Sequence, residues 1–118
     1  MERRHFVRVP SWLSARYTLA GSGTPQATVV RNISSGGCGF FTASLLPAGT
    51  ALEVTVEVPE RRREATFTAR VAWSGKLLLT RRDEHPWAFE AGVRFRKIAP
   101  EDLAFLLQYS ASKPPPSA

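Results

Sequence analysis

The residues best equipped for chemistry lie in two short stretches. The first holds Arg3 and then Arg4-His5-Phe6-Val7-Arg8, in which Arg4 and Arg8 stand four apart. A guanidinium group is a planar cationic fork. It grips phosphate oxygens with parallel hydrogen bonds and stacks on flat rings. The second stretch is Asn32-Ile33-Ser34-Ser35-Gly36-Gly37. The Asn32 amide both donates and accepts, the pattern that pairs with a nucleobase edge. Ser34 and Ser35 can donate to phosphate oxygens. Gly36 and Gly37 admit positive φ and let backbone N–H groups approach a ligand. Taken alone, the arginines describe a solvated basic terminus and the second stretch an ordinary turn. Together they describe a receptor for an anion that carries a planar, hydrogen-bonding ring.

Charge and composition agree with an anionic ligand. The chain has 118 residues and a formal charge of +6, with a pI near 10.4. Arginine supplies most of the basic residues, and no acid stands between Glu2 and Glu53, where Arg3, Arg4, Arg8, Arg16 and Arg31 all lie. The N-terminal half therefore carries a positive field. The length fits one domain with one core. No run reaches the roughly 20 apolar residues of a membrane span, and no apolar signal region follows the first residues. Cys38 is the single cysteine, so no internal disulfide forms and a reducing cytoplasm is the simplest home. His5 and His85 are too isolated for a metal site. No nucleophile, base and orienting group share a convincing spacing, so the chain is not expected to be an enzyme.

The elements that position the two stretches read as strands followed by one helix. Strands are expected over 14–19, 27–33, 38–42, 52–58, 65–73 and 87–95, with turns at Gly21-Ser22-Gly23-Thr24-Pro25 and Leu46-Pro47-Ala48-Gly49. The run from Leu52 alternates strictly, its Glu53, Thr55 and Glu57 facing water. Phe67, Ala69, Val71 and Trp73 are expected on one face, with Trp73 a core or rim residue that could line the ligand face and is left out of the site. Pro100, Glu101 and Asp102 suit the start of a helix whose apolar stripe is Leu103, Leu106 and Leu107, supported by Phe105. Residues 111–118, with Pro114-Pro115-Pro116, are expected as a disordered tail. Short strands at regular spacing make a small antiparallel barrel or sandwich, with the helix capping an open end or covering the wall.

The two stretches match one family. The chain resembles the PilZ domain, a receptor for the bacterial second messenger cyclic di-GMP. Arg4 and Arg8 fit its RxxxR motif, and Asn32, Ser34 and Gly37 fit its [D/N]xSxxG motif. Leu46-Pro47-Ala48-Gly49, Val71-Ala72-Trp73 and Gly92-Val93-Arg94-Phe95 look like its later landmarks. The resemblance implies a mainly β fold, a six-stranded antiparallel split barrel with a C-terminal α-helix. It spans a single domain over 1–110, with the arginine arm (1–12) folding over the outer face. It implies that Arg4 and Arg8 clasp phosphates and guanine edges, Asn32 bonds a guanine, Ser34 contacts phosphate, and Gly37 leaves room for the rings. Arg3 implies a stacked pair of ligand molecules. The expected function is a cytoplasmic cyclic di-GMP receptor or adaptor, without a further cofactor, that signals to a separate effector protein. The competing readings are a nucleic-acid-binding small barrel and a PilZ-like module that binds protein only.

Overall fold

The computed structural model describes residues 9–21, 23–58, 64–77 and 88–112. Six strands, β1 (Val9–Leu19), β2 (Gln26–Ile33), β3 (Gly37–Thr42), β4 (Ala51–Val56), β5 (Ala65–Lys76) and β6 (Phe89–Lys97), precede one helix, α1 (Pro100–Ser112). The strands close into an antiparallel barrel in the order β1-β2-β3-β6-β5-β4. Closure depends on two pairings between strands distant in sequence, β3 with β6 and β1 with β4. The mainly β barrel with a terminal helix is therefore the observed architecture.

Alternation builds the barrel interior. In β4, Leu52, Val54 and Val56 are buried while Glu53 is exposed, as their spacing predicts. Phe40, Val54, Ala65, Ala69 and Ala91 are fully enclosed. The rings of Tyr17 and Phe40 pack with centroids 5.2 Å apart, and Phe67 meets Phe95 edge-on at 4.8 Å. Cys38 is a buried free thiol in this core. No helix among the described residues is long and apolar enough to cross a membrane.

Two local readings change around the site. β1 begins at Val9 rather than 14, because Val9 and Pro10 pair with Ile33 and Asn32. Pro10 lacks an N–H, and a register shift between Pro10 and Leu13 accommodates it at the strand's start. Trp73 leaves the face that Phe67, Ala69 and Val71 share. The register shifts between Val71 and Trp73, so the alternation of Phe67, Ala69 and Val71 stops there and Trp73 is 43% exposed. Such an extra residue turns every later side chain to the other face.

The helix starts at Pro100 with Glu101 and Asp102 in its first turn, where carboxylates meet the positive end of the dipole. It lies against β1 and β2. Its most buried line is Asp102, Leu106 and Ser110, with Leu103, Phe105 and Leu107 flanking it. The stripe is thus centred on Leu106 alone. The helix runs to Ser112, two residues into the stretch expected as a tail; residues 113–118 lie outside the described residues, as does Trp87.

Candidate functional site

The β2–β3 turn is shaped by its own side chains. The Ser34 N–H donates to the Gly37 carbonyl at 2.8 Å. The Ser34 hydroxyl donates to the same carbonyl at 3.3 Å and accepts the Gly36 N–H at 3.2 Å. Ser34 is buried and acts here as a staple of the turn, whereas Ser35 is exposed at its tip. Gly37 pairs with Arg94 of β6. A Cβ on Gly37 would overlap the Val93 carbonyl oxygen and stand 3.0 Å from its carbon. The residue is glycine because β6 backbone occupies that space. Positive φ falls instead at Gly21, Gly23 and Gly49.

Asn32 reaches the outer wall through an irregularity. Val30 pairs with Phe40 but Asn32 with Gly39, so Arg31 is an extra residue in β2. The shift lets Ile33 point inward, buried, while Arg31 and Asn32 both sit on the outer side, half-buried. The Asn32 amide lies over Gly39, where a Cβ would meet Oδ1 at 3.1 Å and Nδ2 at 3.2 Å. Arg31 extends the other way. Its guanidinium passes over the Phe41 ring, 5.7 Å from the centroid, and pairs with Glu90 of β6. The motif's own arginine neighbour is thus neutralised within the wall.

Register continues the row across the barrel. Asn32 pairs with Gly39, Gly39 with Gly92, and Gly92 with Trp73. A Cβ on Gly92 would overlap the Trp73 indole, 2.6 Å from Cε2. The two glycines leave the middle of the row without side chains of their own. An amide folds over one and an indole over the other. The next row holds Gly37, Arg94 and Arg70 in register, with both arginines exposed. Arg70 Nη1 donates to the Gly49 carbonyl at 3.1 Å.

The structure therefore brings Asn32, Ser34 and Gly37 together at one corner of the outer wall. Arg3, Arg4 and Arg8 lie outside the described residues. The chain they belong to joins the barrel at that corner, since Val9 and Pro10 pair with Ile33 and Asn32. Arg70 and Arg94 escape the sequence reading as neighbours of the motif, and Trp73, which could line the ligand face, is left out of the site there. Their place depends on the β5–β6 register, which no local pattern announces.

Other features of the molecule do not compete for this role. A shallow cavity of about 690 Å³ lies where β1 ends and β4 begins, against Leu19, Leu52, Arg96 and Lys97, away from Asn32, Ser34 and Gly37. Among the described residues, no group of three or more His, Cys, Asp or Glu is placed to hold a metal ion; His5 and His85 are outside that set. The exposed ion pair of Arg16 with Glu64, at 2.9 Å, is remote from the motif in register.

Comparison with known proteins agrees with this geometry. A comparison with the curated proteins found no match. Among solved structures, the chain is similar to the Bacillus subtilis inhibitor of motility (MotI/DgrA), at 24% identity and TM-score 0.70, over 93% of this chain and 50% of that one. It is similar to the PilZ domain of YcgR from Escherichia coli, in a structure with cyclic di-GMP, at 18% identity and TM-score 0.71 over 94% and 91%. It is also similar to MrkH of K. pneumonia, in a cyclic di-GMP complex, at 15% identity and TM-score 0.66 over 92% and 51%. The chain spans about half the length of the Bacillus protein and of MrkH. The PilZ domain model matches residues 2–112, so both sequence stretches and every described strand fall within the match. The chain belongs to the PilZ domain family.

Proposed function

We propose that this protein is a cyclic di-GMP receptor that clasps its ligand between the arginine arm and the outer wall of β2, β3 and β6. The observation that carries the reading is the pairing of Val9 with Ile33 and Pro10 with Asn32. Arg8 directly precedes Val9 in sequence, so the arm enters the barrel at the strand end that carries the second motif. A ligand with two phosphates and two guanines then meets cationic forks from the arm and the Asn32 amide from the wall. The single domain over 1–110 supplies the receptor, and the arm changes from loose to clasped on binding. A separate effector protein in the cytoplasm reads the new surface. No reaction is catalysed and no cofactor is used. The YcgR and MrkH structures hold cyclic di-GMP on this fold, which supports the choice of ligand.

Calorimetric titration with cyclic di-GMP, with cyclic di-AMP and GTP as controls, tests this. Cyclic di-GMP alone is expected to bind tightly. Each charge-assisted arginine contact contributes about 1.5–3 kcal/mol, so Arg4→Ala or Arg8→Ala weakens binding at least about tenfold while the fold survives. Unchanged affinity in a folded variant rejects the site. We further propose that Arg3 supports a stacked pair of ligands. Saturation at one ligand per chain would sink that proposal.

A further inference from the structure

Arg31 sits where two strand ladders lose register together. Toward β1 the pairing steps from Val30 with Leu13 to Asn32 with Pro10, and toward β3 from Val30 with Phe40 to Asn32 with Gly39. Neither register gives Arg31 a Cα partner. An extra residue of this kind turns the side chains after it to the other face. Strict alternation after the buried Val30 would point Asn32 inward and Ile33 outward. The bulge instead leaves Asn32 half-buried on the outer side and buries Ile33. The outward amide therefore depends on a bulge that the backbone ladders do not hold at its centre.

The Arg31 side chain supplies that hold. Its guanidinium lies 5.7 Å from the centroid of the Phe41 ring and donates to the Glu90 carboxylate. Phe41 and Glu90 are partners in register on β3 and β6, so this one side chain spans three strands. Its anchor is fixed in turn. The Ser74 hydroxyl donates to the Glu90 carbonyl at 3.1 Å and accepts the Leu46 N–H at 3.1 Å. The Glu90 side chain is only 22% exposed. Removing either charge thus leaves the other partly withdrawn from water and uncompensated.

We propose that Arg31 and Glu90 are positioning residues: their clamp across Phe41 fixes the β2 bulge, and with it the outward Asn32 amide and the end of β1 where the arm enters. Arg31 itself does not touch the nucleotide. The clamp rests on the cyclic di-GMP reading for the ligand that Asn32 meets, but the geometry belongs to the ligand-free protein.

Two measurements on the full chain test this: titration with cyclic di-GMP, and NMR of the ligand-free protein. The variants are Arg31→Gln, Glu90→Gln and the Arg31→Gln/Glu90→Gln pair. Each single variant is expected to raise Kd at least about fivefold, the low end of couplings carried through another residue. In the ligand-free protein, the Asn32 side-chain amide and Gly39 backbone amide signals are expected to shift or broaden in the same variants. The double variant is expected to bind no more weakly than either single one, because the pair acts as a unit; additive losses overturn the clamp. Tighter binding by Glu90→Gln also overturns it, since Arg31 would then be a ligand contact that Glu90 holds back. Wild-type affinity with unshifted Asn32 and Gly39 signals in folded single variants overturns the clamp and leaves the receptor reading intact. If the wild type does not bind cyclic di-GMP, the receptor reading fails, and the Asn32 and Gly39 signals alone decide the clamp. Should the neutral variants unfold, Arg31→Lys carries the test with the same readouts, because it keeps the charge and loses the planar fork.

Discussion

Gly37 is held between two backbones, its own strand and β6, with no space for a methyl group beside the Val93 carbonyl. Its place in the motif is therefore a packing requirement before any ligand arrives. Gly37→Ala must push β3 away from β6, at a cost of about 1–3 kcal/mol. The variant is expected to melt earlier than wild type in the absence of ligand. A Gly37→Ala protein that melts normally but no longer binds nucleotide would return the residue to the ligand. Ser34 follows the same logic, because its hydroxyl already serves Gly36 and Gly37 within the turn. The sequence was enough to group Asn32, Ser34 and Gly37. It did not reveal what Gly37 touches, because the contact comes from a strand far along the chain. Asn32 was legible for a different reason: its amide chemistry is intrinsic, and only its orientation over Gly39 needed the structure.

Strand alternation predicted β4 well, because Leu52, Val54 and Val56 face the core without interruption. It failed at Trp73 because one extra residue reverses the pattern, and a bulge has no period to detect. The same kind of shift places Arg31 outside beside Asn32 and lets it span Phe41 to reach Glu90. The helix tests how its element is anchored. Leu106 is fully enclosed, the one apolar side chain of α1 to reach that state among the described residues. Leu106→Ala is expected to cost about 2–5 kcal/mol in denaturant unfolding. A loss below roughly 1 kcal/mol, the scale of a surface change, would mean that α1 docks through its flanks instead.

One exposed contact ties β1 to the start of β5. The Arg16 guanidinium donates to both Glu64 carboxylate oxygens, at 3.0 and 2.9 Å. That hydrogen bonding holds the Glu64 carboxyl below its ordinary value of 4.5. A carboxylate with a lowered folded pKa stabilises the fold above its unfolded pKa and loses that contribution as the pH falls through the folded one. The difference in Tm between wild type and Glu64→Gln is therefore expected to be small, present at neutral pH, and to vanish in acid. A difference that grows in acid contradicts this account. Both groups are exposed, so the effect stays within the range of surface pairs.

At the scale of the whole molecule, closure joins the motif strand β2 to β3, β6 and β5 in one continuous outer surface. Antiparallel strands and a terminal helix could be read from periodicity and from the proline and acids that open α1. The ring order could not, because a barrel and a sandwich share the same local pattern. The family resemblance resolved that choice, and the pairing of β1 with β4 bears it out.

A closed ring also limits how the proposed effector could dock. Each described strand has a neighbour on both sides over part of its length, so no whole strand is left as a free edge for a partner to extend. Docking by strand addition, a common way for proteins to bind extended peptides, therefore has only short unpaired stretches to use among the described residues. A partner that docks elsewhere must recognise side chains on a face. If that face is the nucleotide-covered wall, the messenger itself becomes part of the epitope. A partner that binds the β1–β4 side would then register the nucleotide only through the barrel that separates the two.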